Sequence, residues 1–256
     1  TVQNYNGLGY NTMVAFASAS DVTEYTIPEG VQAIESYGCY YATNLTKLNF
    51  PDSFEAIFSG HAFEGTTNIE TITGKYVIED GRSMVNDGML KFVAGGGLES
   101  YTTPAGVNHL GDMALGFNDD LKELVISDEV ETFDGYGYIF NYNPSLETVT
   151  ISARMISLGF DPFRSDSYCT PSLKTVYCRA LIPPVIYYNA DIDSYCYDFD
   201  DLTIYVPKDS YDMYLSSAYW DTYERYLQPY DYGDLSEFYP DYYISSDYSS
   251  DGVVET

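Results

Sequence analysis

Apolar residues return along this chain at a step of roughly 25 residues: Val22, Leu45, Ile69, Leu98, Leu121, Leu146, Leu173 and Leu202. After most anchors the register is kept, with apolar side chains at the first, fourth and sixth positions: Val22, Tyr25, Ile27; Leu45, Leu48, Phe50; Leu121, Leu124, Ile126; Leu146, Val149, Ile151; Leu173, Val176, Cys178. Alternation over so short a run predicts a strand with these side chains inward. Pro or Ser then follows (Pro28, Pro51, Pro104, Ser127, Ser152), and after it a second apolar pair: Val31 and Ile34, Phe54 and Ile57, Val107 and Leu110, Val130 and Phe133, Met155 and Leu158. That pair predicts another short strand. A small residue and a larger one close each unit: Gly38-Cys39, Ala62-Phe63, Ala114-Leu115, Ile139-Phe140, Pro162-Phe163. On a longer scale residues 13–57 align without a gap on residues 89–133, Met13 falling on Met89, Phe16 on Phe92 and Pro28 on Pro104. A unit this short cannot bury its own apolar face, so it must stack on copies of itself.

The whole string resembles the BspA-like leucine-rich repeat, L-x-x-I-x-I-P-x-x-V-x-x-I-G-x-x-A-F-x-x-C-x-x-L, most clearly from Tyr25 to Ile34 and from Val107 to Leu115. The resemblance covers roughly residues 13 to 231 and recurs in register. It implies a mainly β fold, a right-handed leucine-rich repeat solenoid of short strands. Ser in place of Pro in later units, Cys39 and Leu115 in place of Phe, and the general lack of the consensus Cys are departures that loosen the later repeats. The resemblance also implies a bacterial cell-surface or secreted protein engaged in adhesion.

Two segments break the period. In residues 74–97 Asp80-Gly81 and Asp87-Gly88 lie among apolar runs, and Asp-Gly so placed predicts a β-hairpin because Gly tolerates the positive φ such turns need. This hairpin is expected to project from the stack or cap it, with Met13 to Phe16 as the remnant of an equivalent one upstream, so that the chain begins inside a longer array. The second break follows Leu202-Thr-Ile-Tyr-Val-Pro207, where Asp209-Ser210 predict an N-cap and Tyr211, Tyr214, Leu215 and Ala218 follow at helical spacing before Trp220. Open solenoids need their last layer covered. A C-terminal capping helix is therefore expected, with Trp220 as a packing residue. The predicted organisation is a solenoid over residues 1–231, with a partial repeat at 1–21, the hairpin insertion at 74–97 and the cap at 203–231. Residues 232–256, rich in Tyr, Asp, Ser and Gly, are read as a linker toward another domain.

With 256 residues, 45% of them hydrophobic, the chain can bury a sizeable core, and no run is long and apolar enough for a transmembrane helix, so membrane insertion is not expected. A formal charge of -28 repels phosphate backbones and anionic bilayers. Nucleic acid is thus excluded as a partner. Cys39 and Cys178 occupy core positions and are expected as buried thiols; Cys169 and Cys196, in irregular loops, are free to pair or to stay reduced.

Catalytic chemistry finds little support. His61 and His109 lie at non-anchor positions that read as solvated. His61-Ala-Phe-Glu64 is an H-x-x-E pattern without a third ligand, so no metal site is assigned. The acidic run from Asp191 to Asp201 lacks the central Gly and closing Glu of a calcium loop. Asn44-Leu45-Thr46 is a glycosylation sequon, but its Asn fills a turn slot shared with Asn68, Asp120 and Ser145. No nucleophile elbow or phosphate loop occurs. The chain is expected not to be an enzyme and to need no cofactor.

What remains is surface recognition. The outward positions of each first strand form a ladder, Glu24 and Thr26, Lys47 and Asn49, Thr71 and Thr73, Ser100 and Thr102, Glu123 and Val125, Thr148 and Thr150, Thr175 and Tyr177. Such a broad polar face suits protein or glycan ligands, although Thr is also simply a favourable exposed strand residue. Candidate ligand-binding residues are Lys47, Asn49, Thr71, Ser100, Thr102, Glu123, Thr148, Thr150 and Tyr177. The 29 tyrosines add flat rings with polar tips. The first expectation is a non-enzymatic adhesion module for an extracellular protein, from the host matrix or another cell surface. The alternatives are a glycan-binding or glycan-processing surface module, favoured if aromatic residues and carboxylates converge in one groove, and a spacer for a downstream catalytic domain.

Overall fold

The computed structural model describes residues 2–4, 11–17, 21–58, 61–134, 140, 142–160, 162–163, 170–187 and 199–239. Cys169, Cys196, the run from Asp191 to Asp198 and residues 240–256 lie outside the described residues.

The chain is a parallel-strand solenoid of about eight turns. Each turn contributes one strand to a front ladder, and a further strand after the C-terminal helix closes it. These are β3 (Glu24–Thr26), β5 (Lys47–Asn49), β7 (Thr71–Thr73), β10 (Ser100–Thr102), β12 (Glu123–Val125), β14 (Thr148–Ile151), β16 (Thr175–Cys178), β18 (Thr203–Pro207) and β19 (Leu227–Tyr230). The second apolar pairs form a back ladder: β2 (Asn11–Met13), β4 (Ala33–Ile34), β6 (Ile57–Phe58), β9 (Met89–Val93), β11 (His109–Gly111), β13 (Thr132–Asp134), β15 (Ser157–Phe160) and β17 (Val185–Tyr187). Anchors Leu45, Leu121, Leu146 and Leu173 and their fourth- and sixth-position partners are buried between the ladders. Val22 departs from the rule and is 40% exposed, and β3 is the end strand of its sheet among the described residues.

The inserted hairpin forms as expected. Strand β8 (Ser83–Asn86) pairs antiparallel with β9 around Asp87-Gly88, whose φ values of 50° and 75° make a primed two-residue turn. It does not project: β9 also pairs parallel with β11 and so is the back strand of its own turn, while β8 covers the edge of that four-stranded sheet. An equivalent antiparallel partner, β1 (Val2–Asn4), flanks β2. Pairing corrects the gapless alignment by one residue: Met13 faces Ile34, whereas Leu90, not Met89, faces Leu110.

The insertion divides the stack. On the front, the Ile72 N–H is taken by the Gly81 carbonyl at 2.7 Å, so the ladder stops after β7 and resumes at β10 as a six-stranded sheet. The apolar core separates at the same place into two clusters. Gly95 and Gly96 let the chain rejoin the stack: a Cβ on Gly95 would meet the Asn118 side chain, and one on Gly96 the backbone of Asn68.

At the consensus Cys slot, three residues before each anchor, stand Ala42, Thr66, Asn118, Asn143 and Thr170, all buried. Instead of loosening the repeat, the polar ones tie the loops together. Asn143 Nδ2 donates to the Leu115 carbonyl of the preceding turn and to Phe140, each at 2.9 Å. Thr66 Oγ1 bridges Cys39 O and Ala42 N. Asn143→Ala should therefore remove the donor to the Phe140 carbonyl and one of the two to Leu115 O, which Asn118 Nδ2 also reaches at 2.9 Å, and lower stability by about 2 kcal/mol. A urea titration of the variant measures this.

The C-terminal cap is shorter than its helical spacing suggests. Helix α1 spans only Tyr211–Ser216, because Ser217 is extended (φ -79°, ψ 136°), and Ser210 precedes it without a side-chain capping bond. Trp220 packs in the cap as expected, buried with Nε1 donating to Pro184 O at 2.8 Å. A short 3₁₀ segment then leads to β19, which pairs with β18 and closes the front sheet. Pro229 there has no N–H to offer a further strand, which blunts the edge. Contacts continue through Tyr239, inside the stretch read as linker. Leu235 is buried, Phe238 lies between Arg154 and Arg179 at 5.8 and 5.7 Å, and Tyr239 Oη accepts from Leu181 N at 3.1 Å.

Candidate functional site

The ladder residues are all on the front face, but they do not form one surface. Lys47, Asn49 and Thr71 belong to the three-stranded sheet; Ser100, Thr102, Glu123, Thr148, Thr150 and Tyr177 belong to the six-stranded one. In the smaller sheet the polar groups engage each other. Asn49 Nδ2 donates to Glu24 Oε1 (2.9 Å) and to Thr26 Oγ1 (3.2 Å), while Asn49 Oδ1 accepts from Thr73 at 2.7 Å. Lys47 Nζ pairs with Glu24 at 2.8 Å. That ammonium, with the Asn49 amide, holds the Glu24 carboxyl below its usual range.

In the larger sheet two outward rows run in strict register. Ser100, Glu123, Thr148, Thr175 and Thr203 make one; Thr102, Val125, Thr150, Tyr177, Tyr205 and Gln228 make the other. Their edge carries Lys122–Glu99 and Lys174–Glu147 pairs at 3.0 and 3.2 Å. The second row ends in aromatic rings. Tyr177 stacks on Tyr205 with centroids 5.2 Å apart and planes 15° from parallel. Tyr230 meets both edge-on at 5.9 and 5.3 Å, and Tyr232 follows at 4.7 Å. Tyr232 Oη also donates to Tyr205 O at 3.0 Å, which fixes the group. Spacing from the anchors finds Tyr177 but misses Tyr205, because the turn from Leu202 is one residue shorter between anchor and strand: Thr175 pairs with Thr203.

The BspA type leucine rich repeat region matches this sequence in six copies, over residues 11–135 and 80–170. The chain belongs to the BspA-type leucine-rich repeat family. Among solved structures it is similar to a leucine-rich cell surface protein from Faecalibacterium prausnitzii, with a TM-score of 0.50 and 18% identity, over 86% of this chain and 62% of that one. The chain thus spans less than two thirds of that protein. It is also similar to the T. pallidum leucine-rich repeat protein (TM-score 0.34, 14% identity, 70% of this chain and 68% of that one) and to the pneumococcal vaccine antigen PcpA (0.35, 16%, 82% and 67%). No curated protein matches the sequence.

A second aromatic group in this BspA-type solenoid lies on the loops between back and front strands. Each loop has a turn slot two residues after its large apolar residue. Gly65 fills it in one turn with φ 70°, but Tyr41, Phe117 and Tyr142 fill it in others with φ 48°, 63° and 59°. Tyr37 and His61 are also left-handed, at φ 62° each. Backbone of this kind costs about 1 kcal/mol per non-glycine residue. The rings nevertheless converge: Phe117 stacks on Tyr142 at 4.5 Å, and His61 on Tyr37 at 5.8 Å, with Phe117 and Tyr142 edge-on to His61 at 6.4 and 6.1 Å. The Tyr41 ring lies flat over Gly65, where a Cβ would come within 2.7 Å of it. His61 is accordingly half-buried among rings and not a solvated repeat position, and its Nδ1 lies 2.9 Å from Glu64 Oε2.

Proposed function

We propose that this chain is a non-enzymatic recognition module of a cell-surface or secreted protein, and that it binds an extracellular protein on the six-stranded front sheet. The observation that carries the reading is the Tyr177–Tyr205–Tyr230 platform at the end of an otherwise polar, rigid sheet. Tyrosine presents a large contact area with little side-chain entropy to lose, which is why such rings anchor interfaces. Ser100, Thr102, Glu123, Thr148 and Thr150 supply a flat polar surround able to exchange hydrogen bonds. Lys47, Asn49 and Thr71, on the separate smaller sheet, make an accessory contact. Most described cations here are already paired to carboxylates, so the exposed field is acidic and steers basic proteins toward the face.

The test is surface plasmon resonance against a panel of matrix proteins at physiological salt. A ligand should bind saturably, and Tyr205→Ala should weaken it at least tenfold, about 1.4 kcal/mol. Lys47→Ala should change affinity by less than threefold. No saturable ligand on the panel, or one indifferent to Tyr205→Ala and Tyr230→Ala, overturns the assignment.

A further inference from the structure

Where the insertion divides the back ladder, a cleft of about 300 Å³ opens between β6 and the β9–β11 pair. Its floor is apolar, with Phe58 and Met89, and Lys91 and Asp112 stand at its walls. At one end it meets a smaller hollow lined by Phe58, Lys91, Asp112 and the two loop residues His61 and Phe117. The aromatic strip of Tyr37, His61, Phe117 and Tyr142 therefore reaches this hollow through His61 and Phe117, beside the Lys91 and Asp112 side chains. We propose that this seam is a saccharide-binding site, and that its ligand is a neutral oligosaccharide.

Three features lead there. A pyranose has an apolar C–H face and a rim of hydroxyls. It is matched by an exposed flat ring beside both donors and acceptors, and here Lys91 Nζ donates, Asp112 accepts, and His61 is held by Glu64 at the edge. Exposure is concentrated at one end of the strip: Tyr37, stacked on His61, is 50% exposed, whereas Phe117, which lines the hollow, is buried. Phe117 and Tyr142 also sit in left-handed backbone that glycine occupies in the equivalent slot at Gly65, and Tyr37 and His61 are left-handed in the slot four residues earlier. Local strain at aromatic residues converging on a cleft is the pattern of a recognition site, since packing alone is served by the glycine.

The charge of the site selects within the class. Glu64 and Asp112 oppose a single ammonium in a molecule of formal charge -28, so sulfated or sialylated chains meet net repulsion and uncharged ones do not. Burial raises the Asp112 carboxyl above its usual range, which favours its role as a hydrogen-bonding partner for hydroxyls. The site is on the opposite ladder from the tyrosine platform, and it stands or falls independently of protein binding there.

Cellohexaose, xylohexaose, mannohexaose and chitohexaose, with a heparin hexasaccharide beside them, would be titrated into the chain by calorimetry. At least one neutral hexasaccharide should bind saturably. Lys91→Ala and Tyr37→Gly should each weaken it tenfold or more, and Tyr205→Ala should leave it within twofold. Tyr37→Gly separates recognition from folding, because it removes the ring and relieves the backbone together. Its midpoint of thermal unfolding should not fall while its affinity does. Failure of all four neutral sugars, binding of heparin alone, or affinity unchanged in both Lys91→Ala and Tyr37→Gly overturns the proposal.

Discussion

Trp220→Ala is expected to destabilise the chain by about 4 kcal/mol, one of the two largest effects anticipated for this molecule. The indole is buried and touches Tyr214, Tyr223 and Phe163 at ring distances of 4.7, 6.3 and 6.5 Å. Its removal opens a cavity at the centre of the cap and leaves the Pro184 carbonyl without its donor. Tyr223, whose hydroxyl reaches Phe163 O at 3.0 Å, would lose the surface it packs on. Because each turn of a solenoid is held chiefly by its neighbours, the damage should first appear as fraying of β18 and β19 and only then as global unfolding.

Urea titration followed by circular dichroism measures the loss. The single tryptophan of the unsubstituted chain reports the cap alone by fluorescence, so cap and stack can be followed separately. Trp220→Phe keeps most of the volume and loses the indole donor, and should retain more than half of the stability. A loss below about 1 kcal/mol for Trp220→Ala would mean that the cap does not hold the last turns.

The repeat itself was legible because inward positions recur with a fixed period, and Leu45, Leu121, Leu146 and Leu173 are buried with their partners as the pattern requires. Features set by contacts between turns were harder to see. The hairpin was recognisable from Asp87-Gly88, but its absorption into the back ladder depends on β9 pairing with β11, which local sequence does not encode. Strand β19 was hidden because Pro229 argues against a strand until its edge position is known. The six-residue helix was overestimated, since spacing of Tyr211, Tyr214 and Leu215 continues past Ser217, where the backbone turns extended.

The outward ladder positions were readable by the same alternation, and their faces are as expected. The split of the ladder was not, because it follows from Gly81 taking the Ile72 N–H. Nor could the loop-side strip be read from the sequence. His61 and Phe117 are brought together only because the turn between their loops carries the hairpin and returns through Gly95-Gly96-Gly97. The visible hint was three bulky aromatic residues in a slot where Gly65 shows what the backbone prefers.

Stability should also fall steeply on the alkaline side. Burial pushes the Cys39 thiol up to about 12 and the Cys178 thiol up to about 11. It raises the Tyr214 hydroxyl well above its ordinary value too, beside Cys178 Sγ at 3.2 Å. Each group stays protonated in the fold while its unfolded counterpart ionises, near pH 8.5 for a thiol and pH 10 for a phenol. The unfolded state then binds fewer protons, so the stability of the native chain drops as pH rises. The loss begins above about pH 8.5 and reaches about 3 kcal/mol per thiol by pH 11, with Tyr214 adding to it as pH approaches and passes 10. Urea midpoints measured from pH 7 to 11 should trace this decline. A Cys39→Ala, Cys178→Ala double variant starts lower, having lost core volume, but should decline much less than the native chain between about pH 8.5 and 9.5, the residual fall nearer pH 10 coming from buried tyrosines such as Tyr101, Tyr214 and Tyr232. An identical slope in the double variant would place the alkaline sensitivity elsewhere.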